Sequence, residues 1–366
     1  MMQKIPVGVL GATGMVGQQY IALLAEHPWF EVRYVAASPR SAGKPYAEAV
    51  AGRWQLSRGY GKGVGDLVVA DANDVQSALS AFKKGDCAFV FSALEMSKEE
   101  IKALEEAYAA AGIPVVSNAS ANRWTSDVPM LIAEVNPHHA DIIPQQRKQR
   151  GWDKGFIVVK PNCSIQSYMT PIWALIQEGY EIRKMFVTTL QAVSGAGYPG
   201  VPSLDMIDNI VPYIGGEEEK SEQEPLKILG SVQGGTIVNA PGPLVSAHCN
   251  RVPVVDGHTA CVSLEFGDKK PSIDEVKAIW STFRALPQEL KLPFAPEQPI
   301  IVREEADRPQ PRKDRDMDKA MAVSVGRIRP CKLLDLRFVG LSHNTVRGAA
   351  GGGILNAELL KAKGYL

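Results

Sequence analysis

In the segment Gly8-Val-Leu-Gly11-Ala-Thr-Gly14-Met-Val-Gly17, the glycines Gly11, Gly14 and Gly17 stand between a short apolar run and a stretch of helical composition. Glycine at such a junction lets the backbone turn sharply and approach a ligand closely. The first N–H groups of the following helix then form a ready site for the anionic pyrophosphate of a dinucleotide. The spacing is GxxGxxG, so the generic GxGxxG fingerprint is met only loosely, and glycines between a strand and a helix also serve as plain punctuation. The strand before and the helix after favour nucleotide binding.

The same rhythm continues through the N-terminal half. Residues 7–10, 31–36, 87–92 and 115–116 read as strands, and residues 16–25 and 98–111 as helices, the second stopped by Gly112-Ile113-Pro114. This alternation predicts a Rossmann-like, doubly wound parallel sheet. Residues 52–65 form an excursion rich in Gly, Arg and Lys, and residues 145–155 a surface linker. A strand over 156–160 then delivers Lys160-Pro161-Asn162-Cys163-Ser164, followed by a helix over 165–177. At 366 residues the chain exceeds the usual single core. From Met185 the pattern changes, with strands over 187–193, 235–239, 259–266 and 321–329 and longer connections, as in an α+β domain with a mixed or antiparallel sheet. A helix over 354–363 closes the chain. The expected division is 1–159, completed by a C-terminal helix in 344–366, and 160–343.

Composition excludes several function classes. Forty basic residues balance forty acidic ones, which removes the electrostatic footprint of a general nucleic-acid or membrane-surface binder. The basic run Arg147-Lys148-Gln149-Arg150 reads as a solvated loop. No apolar run approaches the roughly 18 residues needed to span a bilayer, and the N-terminus lacks a signal-peptide pattern. The five cysteines are scattered and unpaired in spacing, which points to a reducing, cytoplasmic compartment and to no disulfide framework or zinc site.

At the end of the second strand, an NAD-binding chain usually carries an acidic residue for the ribose 2′-hydroxyl. Here Ala36-Ala37-Ser38-Pro39-Arg40-Ser41 offers hydroxyls and an arginine instead, which suit the 2′-phosphate of NADP. Cys163 follows a strand and precedes a helix, whose N-terminus would lower the thiol pKa and supply oxyanion donors. Its polar surroundings separate it from Cys87, which reads as a buried structural thiol. His258 is the candidate acid–base, with Arg251 seven residues earlier in an apolar stretch. His248 beside Cys249 is too little for a metal site. His27, His138 and His139 flank prolines and read as turn or surface residues, and His343 stays open. The acidic run Glu217-Glu218-Glu219, taken alone, reads as a solvated helix face.

Seven ordered segments together resemble the aspartate-β-semialdehyde dehydrogenase family, particularly its archaeal and fungal-like branch. They are Gly11-Ala-Thr-Gly-Met-Val-Gly17, Ser38-Pro-Arg-Ser-Ala-Gly43, Pro161-Asn-Cys-Ser164, Gln191-Ala-Val-Ser-Gly-Ala-Gly197, Glu217-Glu-Glu-Lys220, Arg251 through His258, and Asn344-Thr-Val-Arg-Gly348. The resemblance implies that residues 160–343 are a catalytic and dimerisation domain, and that the chain is a homodimer or homotetramer. It makes Cys163 the nucleophile, His258 the general acid–base, and Gln191 the residue orienting the acyl group. Arg251 would hold the substrate α-carboxylate, Glu217 its amino group, and Lys220, Arg123 and Asn162 its phosphate. NADP would contact Gly11, Thr13, Gly14, Met15, Val16, Ser38, Arg40, Ser41, Ser194, Gly195, Asn344 and Thr345.

The implied reaction is NADPH-dependent reductive dephosphorylation of L-aspartyl-4-phosphate to aspartate 4-semialdehyde through a Cys163 thioester, in lysine, threonine and methionine biosynthesis. A malonyl- or succinyl-CoA reductase on the same scaffold is the nearest rival, and Glu217 and Lys220 favour the aspartyl phosphate. N-acetyl-glutamyl-phosphate reductase fits less well, because its cysteine sits in a Pro-Gly-Cys context. A non-catalytic NADP-binding protein would not need thiol, imidazole and guanidinium together.

Overall fold

The computed structural model describes residues 3–366. Strands β1 (Ile5–Leu10), β2 (Phe30–Ala37), β3 (Ala70–Asp71), β4 (Phe89–Ser92), β5 (Val115–Ser117) and β6 (Ile157–Val159) form one sheet in the order β3-β2-β1-β4-β5-β6. Every neighbouring pair is parallel, as expected of the doubly wound class. The order reverses between β1 and β4, where open α/β sheets bind their ligands. Gly11 must be glycine there for two reasons: its φ is +74°, and a β-carbon would stand 2.2 Å from the Ala93 carbonyl. The helix Met15–Leu24 follows at once.

The excursion over 52–65 contains no helix or strand and folds back onto the glycine turn. Gln18 ties the two together, donating to the Thr13 and Arg53 carbonyls and accepting from the Gln55 N–H. Residues 145–155 are not a linker: Ile143–Arg150 is a helix ended by Gly151 in the left-handed conformation. Its basic run is not a solvated loop either. Arg150 bonds Asp127 at 2.6 Å and Glu106 at 3.0 Å, so the charges that suggested solvent instead anchor the helix.

The second sheet contains β7 (Ile182–Gln191), β10 (Leu244–Arg251), β11 (His258–Phe266), β12 (Ile300–Val302), β13 (Val323–Pro330) and β14 (Leu336–Ser342), in the order β10-β7-β11-β14-β13-β12. It is mixed: β10 and β12 lie parallel to their neighbours, and the central pairs are antiparallel. The strand expected over 235–239 lies outside it, in a hairpin of β8 (Ser231–Gln233) and β9 (Thr236–Val238). Strands β10 and β14 were not expected, because β10 is a half-exposed edge strand and β14 carries Gly340 where an apolar residue would continue the pattern. A β-carbon at Gly340 would meet the Ser167 carbonyl at 2.1 Å, so packing demands that glycine.

The helices Met169–Gln177 and Ile273–Thr282 cover one face of this sheet, locked by the Trp280 indole donating to the Pro171 carbonyl. The other face leaves Phe186 and Cys261 exposed. The terminal helix Gly351–Ala362 packs on the first sheet, where Glu358 meets His27 at 2.7 Å and Asn356 donates to the Leu131 carbonyl. His27 is therefore buried, not a surface residue, and it also accepts the Phe30 N–H. His139 is buried as well, against the Gly230 carbonyl, and burial lowers its pKa to about 4. Among the described residues, no helix is long and apolar enough to cross a membrane.

Gly353 is the contact point of the terminal helix, since a β-carbon there would lie 1.9 Å from the Tyr20 hydroxyl oxygen. Gly353→Ala should therefore cost about 1–3 kcal/mol in urea unfolding through overpacking, despite the better helix propensity of alanine. A stabilised variant would contradict this packing.

Candidate active site

Strand register brings distant side chains to one end of the second sheet. In the parallel pair β7 and β10, Gln191 pairs with Arg251, so both side chains emerge together. Strand β11 runs antiparallel between β7 and β14 and begins where they finish: Thr259 pairs with Leu190, and His258 with Ser342. Beyond β7 a single 3-10 turn, Val193–Ala196, lays Gly195 over Arg251 and His258. A β-carbon on Gly195 would stand 2.9 Å from Arg251 Nη1 and 3.2 Å from His258 Cε1, so only glycine passes without displacing them.

The cysteine arrives from the first sheet, in the turn after β6. Asn162 Oδ1 accepts from the Ser164 N–H at 2.9 Å and the Ser164 hydroxyl at 2.7 Å, a side-chain turn that holds Cys163 in place. Cys163 Sγ then lies 3.3 Å from His258 Nε2. The Ala192 N–H donates to His258 Nδ1 at 3.0 Å. A neutral imidazole here carries its proton on Nε2, facing the sulfur.

The electrostatics depart from the sequence expectation. No α-helix begins at Cys163: Ser164–Ser167 is a single 3-10 turn, and the α-helix starts at Met169. Burial raises the thiol pKa and Glu217 adds to it, while Lys160, Arg123 and Arg251 oppose the rise without reversing it. Burial, then Arg251, pushes His258 down to about 3. Thiol and imidazole thus rest as a neutral pair.

Glu217 is not on a solvated face. It opens the helix Glu217–Ile228, and its carboxylate accepts from Asn162 Nδ2, Gln191 Nε2 and Lys220 Nζ. Burial alone would raise this carboxyl, but Lys220, Gln191 and Asn162 together hold it below the ordinary carboxylate value. Glu218 and Glu222 on the same helix accept the Cys249 and Ala247 N–H groups of edge strand β10. Lys160 is fully buried, and burial lowers it to about 7, Arg123 contributing.

A cleft of ≈ 340 Å³ opens beside the glycine turn at the order reversal of the first sheet. Gly11, Thr13, Gly14, Met15, Ser38 and Arg40 line it, with Gln18, Arg53, Asn73, Glu95 and Tyr198. Arg40 and Arg53 are its cations, and Glu95 is its one lining carboxylate. Tyr198 extends the loop that places Gly195 against His258, so cleft and thiol share a wall.

A family model described as semialdehyde dehydrogenase, NAD binding domain, matches residues 6–143, and one described as semialdehyde dehydrogenase, dimerisation domain, matches residues 172–347. Aspartate-semialdehyde dehydrogenase of Methanothermobacter thermautotrophicus is 50% identical over 358 residues, covering 97% of this chain and 99% of that protein. The Aspergillus fumigatus enzyme of the same name is 46% identical, covering 99% of each. The crystal structure of the Candida albicans enzyme with NADP superposes with a TM-score of 0.90 at 43% identity and full coverage of both chains. This chain belongs to the aspartate-semialdehyde dehydrogenase family.

Of the residues that the family pattern singles out, Cys163, His258, Gln191, Arg251, Glu217, Lys220 and Asn162 converge on one centre, joined by Arg123 through Glu224. Val16, Ser41, Ser194, Gly195, Asn344 and Thr345 do not line the cleft. Asn344 spends both ends of its amide within the protein, donating to Ser194 Oγ and accepting the Gly257 N–H, which fixes the entry to His258. Sequence reasoning missed Gln18, Arg53, Glu95, Lys160 and Glu224. Only Glu224 left a signal, standing seven residues after Glu217 on the same helix face.

A thiol raised by burial stays mostly protonated near neutrality. Alkylation of Cys163 by iodoacetamide should therefore quicken by nearly tenfold per pH unit from pH 7 to pH 9, with no plateau, because only the thiolate reacts. A plateau below pH 8 would mean that the thiolate is already stabilised.

Proposed function

We propose that this chain is an NADP-dependent aspartate-semialdehyde dehydrogenase in which Cys163 carries the acyl group. The observation that carries the reading is the 3.3 Å approach of Cys163 Sγ to His258 Nε2, beside Arg251 and the Glu217–Lys220 pair. L-Aspartyl-4-phosphate presents an α-carboxylate, an ammonium and an acyl phosphate. Arg251 donates one N–H to the Ala192 carbonyl and offers the rest of its fork to the carboxylate. Glu217 is ionised and receives the ammonium, while Lys220, Arg123 and Asn162 meet the phosphate, and Gln191 orients the acyl group.

The cleft fits NADP: no acid stands at the end of β2, where Ser38 and Arg40 line the wall with Arg53. The bound cofactor supplies the hydride that reduces the thioester. Cys163 sulfur attacks the acyl carbon as the bond to the phosphate oxygen breaks, and the thiol proton leaves on that oxygen as hydrogen phosphate, because His258 Nε2 already carries its proton. After reduction, the His258 Nε2–H steadies the alkoxide, whose collapse breaks the carbon–sulfur bond and releases the thiolate, which takes a proton from solvent to restore the resting thiol. The reaction is reversible and belongs to lysine, threonine and methionine biosynthesis in the cytoplasm.

The division into 1–159, completed by 344–366, and 160–343 fits this reading, since cofactor wall and reacting groups then lie in separate units meeting at Cys163. A homodimer or homotetramer is assigned to the exposed apolar surface of the second unit, where Leu204 is 86% and Tyr213 63% exposed.

Purified protein should reduce NADP with aspartate semialdehyde only when phosphate is present, and Cys163→Ala should lose at least about 10³-fold in kcat. Turnover of malonyl- or succinyl-CoA with NADPH in place of that activity would overturn the substrate. Arg251→Lys should raise the KM for the semialdehyde about 10–100-fold while leaving that for NADP within about twofold. Equal damage to both would remove Arg251 from the carboxylate site.

A further inference from the structure

Glu224 lies two turns after Glu217 on the helix Glu217–Ile228, and its side chain is 0% exposed. One carboxylate oxygen accepts from Arg123 Nη1 at 2.9 Å, and the other accepts the Asn162 backbone N–H at 2.6 Å. These donors come from separate loops of the first sheet, after β5 and after β6. Glu224, from the helix Glu217–Ile228, joins them. Two turns of helix separate this joint from Glu217, which holds the Asn162 side chain.

Arg123 is otherwise loosely held. Its Nη2 reaches the Asn118 carbonyl at 3.3 Å, and its buried Nε has no partner. From the same helix, Lys227 donates to the Arg123 and Thr125 carbonyls at 2.6 and 2.8 Å and fixes the backbone of that loop. The helix thus grips the loop by its main chain through Lys227 and by its charge through Glu224.

We propose that Glu224 is a positioning residue for phosphate recognition, clamping the Arg123 guanidinium to the Asn162–Cys163 turn at a fixed distance from the acyl carbon. The inference rests on the reading of Arg123 as a phosphate ligand. A buried carboxylate shared by two donors has no slack, so the cation that meets the phosphate and the turn that carries the nucleophile move as one body. Glutamine cannot replace it, because its amide nitrogen would confront one of the two donors.

The experiment compares Glu224→Gln, Arg123→Gln and the double variant in the phosphate-dependent direction, with far-UV circular dichroism and thermal midpoints as the fold control. Glu224→Gln should raise the KM for inorganic phosphate about tenfold, with the KM values for semialdehyde and NADP within about twofold. The double variant should be no worse for phosphate than Arg123→Gln alone, since Glu224 acts through Arg123. If Glu224→Gln does not fold, Glu224→Asp decides. It keeps the charge but is too short to reach both donors, and should raise the phosphate KM about threefold. An unchanged phosphate KM beside an impaired Arg123→Gln, an equal rise in all three constants, or additive losses in the double variant would each overturn the role of Glu224. A silent Arg123→Gln would overturn the phosphate reading and this inference with it.

Discussion

Two buried carboxylates on one helix, Glu217 and Glu224, hold the site together. Each is removed from water, and several donors converge on each. Those donors belong to different parts of the chain: Asn162 and Arg123 from loops of the parallel sheet, Gln191 and Lys220 from the second unit. Losing any one would leave a desolvated charge partly unpaired, so the two sheets are held in one mutual placement. Cys163 meets His258 because this charge network leaves the turn nowhere else to go.

The same burial explains why the resting site is chemically quiet. Desolvation keeps the thiol protonated against the pull of Lys160, Arg123 and Arg251, and at His258 it acts together with Arg251 to keep the imidazole neutral. An anionic substrate entering among those cations offsets their pull on the thiol, so the sulfur must shed its proton as the acyl phosphate bond breaks. The Nε2 proton of His258 is set by the Ala192 N–H on the far side of the ring, so it faces the sulfur before any ligand arrives.

Local patterns made the first half of the chain legible. The strand–glycine–helix junction, the helix expected over 98–111 and found as Lys98–Ala110, and the missing acid after β2 are short-range features, and each stood where expected. The second half was harder, because β10 shows its polar edge to solvent and β14 trades an apolar side chain for Gly340. The helix Ile143–Arg150 was hidden by charges that serve as anchors. Resemblance, not periodicity, raised Glu217 above a solvated face, and it offered nothing for Glu224, Arg53 or Lys160.

Residue types, their order and their spacing determined by themselves that this chain pairs a nucleotide-binding sheet with a thiol, an imidazole and a guanidinium. They did so because turns, caps and strand-to-helix junctions are local, and because seven ordered segments rarely coincide by chance. Tertiary structure alone decided the state of those groups. Whether a thiol is raised or lowered, and which nitrogen of His258 holds its proton, depends on neighbours tens or hundreds of residues away. Those neighbours are selected by strand register and by buried charge, and neither can be read from adjacent residues.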